Sequence, residues 1–342
     1  MSVGCIGECS MSDIVALGEL LVDFSVQRPE STLQMDGRHS TLSFLRGDAG
    51  GGPANVLAMG ARMGSSTIFI GKVGRDPFGL FLAEALKNLG VGLSGLVMDP
   101  KVVTTLAFVT LDDAGERNFG FYRNPGADTQ LTLQEVQHPI VTACRIFHFS
   151  SLSLTHNPSR STALAVAAEA HQSGAWVSFD PNWRPTLWPD VAEGRTLALR
   201  AVRCSDILKV SESEMEWLTG LNSPPSASKL LLAMGPRIVL VTLGERGSYY
   251  QTANGLSGKV PTVPVQVVDT TATGDAFMGA FLHAFLEQEL DQPGALEQPG
   301  AGQRLQLAVQ TGNVAGALTA AKAGTMAALP SRQEVLAKLS EC

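Results

Sequence analysis

The chain has 342 residues, 44% apolar and 17% charged, with a formal net charge of −7. That length suits one large domain or two ordinary ones around a substantial core, and an acidic chain without a long Lys/Arg run argues against a nucleic-acid partner. Five cysteines without a C-x-x-C pair, histidines without ligand spacing and no apolar run of spanning length exclude a disulfide framework, a zinc site and a membrane span, and point to a reducing cytoplasm.

Residues 1–13 lack the charged start and apolar centre of a signal peptide and read as a loose tail. Cys5 and Cys9 have no assigned role there. I-V-A-L-G-E-L-L-V-D-F, from Ile14 to Phe24, reads as one buried strand ending near the carboxylate of Asp23. Ser31 to Leu45 is polar and broken, a short edge sheet or a loop. In G-D-A-G-G-G-P-A-N-V-L-A-M-G-A-R-M-G the glycines predict a flexible loop. Pro53 then suits a first helical turn, and Gly64 ends the helix.

Thr67 to Gly71 predicts a strand and Pro77 to Leu89 a helix with Phe78, Phe81, Leu82 and Leu86 on its apolar face. Val102 to Leu111 and Arg117 to Tyr122 flank D-D-A-G-E, a hairpin signal. This pair stands outside the βα rhythm and predicts a small antiparallel addition to the main sheet. The rhythm resumes with strands ending at Ser150, Asp180, Val210 and Leu243, and helices over Ser159 to Gln172 and Glu212 to Leu218. S-P-P-S (Ser223 to Ser226) reads as a surface linker, Asp291 to Gly302 as a mobile loop, and Leu305 to Ala323 as a helix of small residues. Alternating strands and helices imply a mostly parallel sheet covered on both faces. Ligands in such sheets sit beyond the carboxyl ends of the strands, where Asp23, Asp180, Lys209 and Gly244 fall.

No P-loop pattern is present. G-V-G-L-S-G (Gly90 to Gly95) has the letters of a dinucleotide turn but follows a helix, the wrong context. D-T-T-A-T-G-D-A-F, Asp269 to Phe277, is sharper because it opens the very apolar stretch F-M-G-A-F-L-H-A-F-L. Unpaired amides at a helix start bind anions. The small residues Ala272, Thr273 and Gly274 let a phosphate approach, and Asp275 is placed to accept a proton from an attacking hydroxyl. The same letters also fit a plain cap at Asp275 or Thr273, and G-G-G-P-A-N fits a tight turn. Two such helix starts on one α/β sheet suit a sugar at one and a nucleotide at the other.

In chain order, I-V-A-L-G-E-L-L-V-D-F, G-D-A-G-G-G-P-A-N-V, F-Y-R-N-P-G-A-D, F-D-P-N-W-R-P-T-L-W, L-K-V-S-E-S-E, V-T-L-G-E-R-G-S and D-T-T-A-T-G-D-A-F carry a resemblance. With these segments the chain resembles the ribokinase-like, phosphofructokinase-B type carbohydrate kinases from about Ile14 to Pro330, and the fructokinases most, chiefly through F-Y-R-N-P-G-A-D. The resemblance implies a three-layer α/β/α fold over residues 14–342, with a mostly parallel central sheet. It adds a small antiparallel β lid from about 24–46 and 100–124. A small sheet with one face uncovered must bury that face on something, so two chains are expected to pair through their lids as a homodimer.

The resemblance also implies ATP-dependent phosphorylation of D-fructose to fructose 6-phosphate by in-line transfer. Asp275 would be the base, with the amides of Ala272, Thr273, Gly274 and Asp275 holding the phosphoryl group. Asp23, Gly50, Gly51 and Asn55 would bind sugar hydroxyls, and Arg123 would close over the sugar from the lid. Asn182 and Glu214 would face the triphosphate and its Mg²⁺, and Thr242, Gly244, Gly247 and Asn313 would line the nucleotide. Asp269 and Thr271, with carbonyls near Lys322 and Gly324, would match the family's monovalent-cation site, for K⁺.

Plainer readings stand beside several of these. Asp23 also fits a strand-end turn, and Arg123 and Glu214 fit solvated charges. Arg184 fits a surface residue or a second anion contact, and His148 and His156 read as structural. The chain departs from the family at Ala272-Thr273, where Gly-Ala is usual, and at Ser211, where Asn is common. Because a helix starts beside it, the backbone at 272 is expected near-helical, with the Thr273 hydroxyl able to reach a phosphate oxygen. The rival functions are a kinase for ribose, 2-keto-3-deoxygluconate or another sugar, and a catalytically weak sugar sensor. A dehydrogenase comes third.

Overall fold

The computed structural model describes residues 11–27, 44–111 and 117–341. Most of the tail, of the stretch after Phe24 and of the hairpin tip lies outside them, as do Cys5 and Cys9. β1 (Ser12–Leu17) and β2 (Leu21–Gln27) divide the single strand expected over Ile14 to Phe24. The break falls at residues 18–20, and the two halves enter different sheets. Asp23 is therefore a mid-strand residue of the smaller sheet and not the end of a central strand. β3 (Phe44–Gly50) pairs antiparallel with β2, Asp23 opposite Asp48, so Gly47 and Gly50 are strand residues and not loop.

α1 (Gly52–Met63) has Pro53 in its first turn and stops at a left-handed Gly64, as the pattern predicts. β4 (Thr67–Gly74), α2 (Pro77–Asn88) and β5 (Gly92–Asp99) form a βαβ unit. The Asp76 side chain caps α2 by accepting from Gly79 N. G-V-G-L-S-G runs from a helix end into β5, so it forms no strand-to-helix turn. β6 (Leu106–Leu111) and β7 (Arg117–Tyr122) make the expected antiparallel pair.

α3 (His138–Thr142), β8 (Cys144–Ser150), α4 (Ser159–Gln172), β9 (Trp176–Asp180), α5 (Val191–Arg203), β10 (Ile207–Ser211) and α6 (Glu212–Thr219) continue the alternation. S-P-P-S is no linker: Ser223 is the N-cap position and the prolines fill the first turn of α7 (Pro224–Leu232), where a missing N–H costs nothing. After β11 (Ile238–Thr242), an antiparallel pair closes the sheet edge, β12 (Ser248–Thr252) and β13 (Ser257–Val260). α8 (Thr273–Glu287), α9 (Ala301–Ala320) and α10 (Arg332–Leu339) complete the chain. The segment expected to be a mobile loop is pinned instead: Asp291 accepts two 2.9 Å bonds from Arg145, and Ala295 and Leu296 are buried.

The central sheet runs β13-β12-β11-β10-β9-β8-β1-β4-β5 and is parallel from β11 to β5. Its strands alternate between two apolar layers, as β1 shows. Ile14 and Ala16 face a core shared with Val56, Phe281 and Leu305, while Val15 and Leu17 face one shared with Val166, Ala198 and Met215. Each large side chain removed from water in these layers is worth about 1.5–3 kcal/mol before entropy is counted. Among the described residues, no helix is long and apolar enough to cross a membrane.

The second sheet runs β3-β2-β6-β7. It is mixed and not purely antiparallel, because β2 and β6 run parallel. Phe24 of β2 stacks on Phe108 at 5.1 Å and meets Phe78 of α2 edge-on at 5.9 Å, which ties this sheet to the body.

Candidate active site

A cleft of about 1200 Å³ opens at the carboxyl ends of the parallel strands, beside the small sheet. Its floor is the start of α8. This helix is buried from Asp275 to Leu286 and mostly apolar; His283, bonded to Ser65 Oγ, lies near its far end, and its first turn is what faces the cleft. No side chain caps it: the N-cap position is Ala272, and Asp275 lies inside the first turn. Neither Asp275 nor Thr273 is a cap.

Ala272 is not near-helical as expected. At φ 57° and ψ 5° it is left-handed. The chain swings there from the Thr270–Thr271 turn onto the helix axis, and the conformation costs an L-residue about 1–2 kcal/mol. The Thr273 hydroxyl donates to Thr270 O at 2.8 Å, and the Thr273 amide leans on the same oxygen at 3.4 Å. Thr273 thus braces the turn and does not aim its hydroxyl at a phosphate. The Gly274 and Asp275 amides belong to the unpaired first turn.

Asp275 is 8% exposed and accepts from Asn55 Nδ2 at 2.8 Å and from Asn182 Nδ2 at 3.2 Å. Burial pushes its carboxyl up to about 6, and the Asp180 charge adds to this. The Asn55 hydrogen bond and the Lys209 and Arg184 charges oppose it. Asn55 is brought here by α1, whose start at Gly51 takes φ 119°, a value that glycine tolerates. The Asn55 Oδ1 atom is buried without a partner and lines the cleft.

Asp23 reaches the same space from β2. Burial pushes its carboxyl up to about 7; Arg184 opposes the shift, while Asp275, Glu19 and Asp48 add to it. Arg184 lines the cleft beside these carboxylates, half-buried, and donates to Trp183 O at 3.1 Å. Glu19 went unrecognised in the sequence. It is 2% exposed, accepts from Gly52 N at 2.7 Å and Ser150 Oγ at 3.2 Å, and is pushed up to about 7 chiefly by burial. Its signal was a carboxylate inside the apolar run A-L-G-E-L-L-V.

The segment after β9 supplies Asn182 at φ 44°. Trp183 stacks on Trp217 at 3.9 Å and on Trp188 at 5.3 Å, and its amide donates to Glu214 Oε1 at 2.8 Å. Glu214 Oε2 accepts from Ser211 N at 2.8 Å and Ser211 Oγ at 2.9 Å, a capping box that starts α6. Both Glu214 oxygens are thus engaged with the protein. Ser211 serves the helix cap, which accounts for a short hydroxyl residue at that position.

Thr242 ends β11, and Gly244 and Gly247 turn the chain at φ 59° and 82° on the far wall. Asn313 of α9 donates to Val260 O at 3.0 Å and Pro261 O at 3.3 Å, and Val263, Phe277 and Ala317 add apolar surface. Asp269, Thr271 and Gly324 come together at the edge, with Thr271 N at 2.8 Å and Gly324 N at 3.3 Å from the Asp269 carboxylate.

Arg123 does not close over the cleft. Its guanidinium donates inward to Asp128 Oδ2 at 2.8 Å, Thr155 Oγ1 at 2.8 Å and Leu152 O at 3.0 Å. A buried, fully paired arginine braces the support of the cleft. Gly50 also lies off the cleft surface, backed against the Asp23 carboxylate, where a side chain would collide.

The sequence and fold were compared with known proteins. Residues 11–332 match the family model described as pfkB family carbohydrate kinase. The chain is 40% identical to fructokinase-1 of Oryza sativa subsp. japonica, covering 96% of this chain and 97% of that one. It is similar in structure to an ATP-bound fructokinase of Xylella fastidiosa: TM-score 0.85, 32% identity, 96% and 98% of the two chains covered. It is also similar to a double-mutant fructokinase of Vibrio cholerae O395 holding fructose, ADP and a potassium ion, with TM-score 0.82, 31% identity and 96% and 98% covered.

Proposed function

The chain belongs to the pfkB family of carbohydrate kinases, and from that premise we propose that it transfers the terminal phosphoryl group of ATP to D-fructose, giving fructose 6-phosphate and ADP. The observation that carries the mechanism is the position of Asp275, a buried carboxylate in the first turn of α8 beside unpaired amides and facing Asp23 and Asn55.

A polyol offers donors and acceptors together. The Asp23 carboxylate accepts from its hydroxyls, and the unpartnered Asn55 Oδ1 accepts another. Asp275 takes the proton of the terminal hydroxyl. Its pKa of about 6 leaves it ionised at neutral pH yet basic enough to act. The oxygen forms its bond to the terminal phosphorus as the bond to the bridging oxygen of ADP breaks, and the Gly274 and Asp275 amides receive the charge on the transferring group. Thr242, Gly244, Gly247 and Asn313 border the nucleotide, with Val263 and Ala317 against its base. Arg184 is a further anion contact.

A bound Mg²⁺ would neutralise triphosphate charge. Glu214 fits that role only through water, since both its oxygens accept from the protein. The Asp269, Thr271 and Gly324 cluster fits a monovalent cation at the loop that leads to α8. Tyr122 and Val103, 71% and 62% exposed at the small sheet, support pairing of two lids in a homodimer. The unpaired thiols of Cys144 and Cys204 support a reducing, cytoplasmic setting.

The test is ADP release with ATP and Mg²⁺ over fructose, ribose and 2-keto-3-deoxygluconate. Fructose is expected to have the highest kcat/KM, and a higher value for either competitor overturns the assignment.

A further inference from the structure

A buried ammonium lies under the anion-binding turn. Lys209 projects from the middle of β10, 6% exposed, and lines the cleft. Its Nζ lies 2.9 Å from Asp180 Oδ2, and among the described residues this is its one carboxylate partner. The other Asp180 oxygen accepts from Asn182 N at 3.1 Å. A Cβ built on residue 274 would lie 2.7 Å from Nζ. The ammonium thus fills the space that a side chain at Gly274 would take, beside the amides that head α8.

Below it, His148 is buried and bonded to Ser178 Oγ at 2.9 Å. Burial, with Lys209 beside it, holds its imidazole down to about 3, so it is neutral. Of the two, only Lys209 carries a positive charge there. Burial opposes that charge, but the Asp180, Glu214 and Asp275 carboxylates outweigh it, and Lys209 is protonated throughout the neutral range. An ammonium has three donors, so one pairing with Asp180 leaves capacity directed at the cleft.

We propose that Lys209 is a catalytic residue: its ammonium, admitted by the absence of a side chain at Gly274, donates to a non-bridging oxygen of the transferring phosphoryl group as charge builds there. Lys209 supplies a cation from within the protein, in addition to the Mg²⁺ that would come with the nucleotide. Preorganised donors of this kind act where transition-state charge develops and need no reorganisation. The inference rests on the kinase reading above.

Two variants test it, Lys209→Met and the neutral pair Asp180→Asn with Lys209→Met. The pair leaves no buried charge unpaired and keeps an acceptor for Asn182 N, so it serves if the single variant fails to fold. The expected result is a fall in kcat of about 10²–10³ in both, with KM for fructose within about threefold of the parent. In the single variant the acid limb of kcat/KM moves to higher pH, because Asp275 loses a cation that held it down. Recovery of kcat to within about threefold of wild type in the double variant overturns the proposal and leaves Lys209 as the counter-ion of Asp180. A wild-type protein that releases no ADP with any sugar refutes the kinase reading instead. An active wild type with equally active variants refutes only the role of Lys209.

Discussion

Asn55 and Asp275, 220 residues apart, meet at 2.8 Å in the buried floor of the cleft. Each comes from the first turn of a helix, and these two helix starts are the two glycine-containing motifs of the sequence. On the proposed kinase reading, the contact joins the half of the site assigned to the sugar to the half assigned to the phosphoryl group. Asn55 holds Oδ2 of Asp275 and Asn182 holds Oδ1, and the two amides together fix the carboxylate in place.

Asp275→Asn is expected to lower kcat by about 10²–10⁴, the range of a lost general base, while the dissociation constant for fructose changes by less than about tenfold. Steady-state kinetics with calorimetric sugar binding checks this. Near-normal turnover would reduce Asp275 to a structural residue.

The activity of the native protein is expected to fall as pH drops through about 6, because burial raises the Asp275 carboxyl to that value and the base must be ionised. Asn55→Leu removes the hydrogen bond that most opposes burial. The acid limb of its kcat/KM profile is expected to move to higher pH, and a limb that stays in place counts against Asp275 as the titrating group.

Ala272→Gly is expected to stabilise the fold by about 1 kcal/mol by relieving a left-handed alanine, with kcat within about tenfold of the parent. The amide supplied at 272 is the same in both. Thermal denaturation decides the first part; no change in Tm would mean that the strain is released by local relaxation. An inactive parent made active by this change together with Thr273→Ala would favour a sugar sensor over an enzyme.

Glu19→Gln is expected to stabilise the protein at alkaline pH and not at acid pH. Burial raises the folded-state value of this carboxyl from 4.5 to about 7. The stability linked to it is fully present below 4.5 and lost as pH rises through about 7. Glutamine avoids that loss, by at most about 3 kcal/mol above pH 8. Denaturant titrations at pH 4.5 and 8.5 check the sign, and an equal effect at both would exclude ionisation as its cause.

Legibility in the sequence followed periodicity. α1, α2 and α4 were readable because proline, apolar spacing and terminal glycine agreed, and β8, β9 and β11 because they are short apolar runs. Ile14 to Phe24 misled because apolar runs lie on both sides of Gly18-Glu19, which alone mark where one strand becomes two. S-P-P-S looked like a linker, although prolines in a first turn begin a helix as readily as they end one. At the site, Asp23, Asn55 and Asn182 could be named through the family resemblance, and Asp275 also because its motif opens a very apolar helix. Arg123 was misread because its partners Asp128 and Thr155 depend on tertiary packing. Lys209 and Glu19 were not assigned roles, because a charge within an apolar strand takes its meaning from what the neighbouring strands place beside it.

The break at residues 18–20 has a consequence for how the cleft is joined. β2 follows β1 with only this connector between them, so one short stretch of chain ties the central sheet to the sheet that carries Asp23. Glu19 sits in that stretch, clamped to the Gly52 amide and the Ser150 hydroxyl. Asp23 stands on the small sheet and Asp275 on α8, so the spacing of the two carboxylates across the cleft is set in part by the clamp at Glu19.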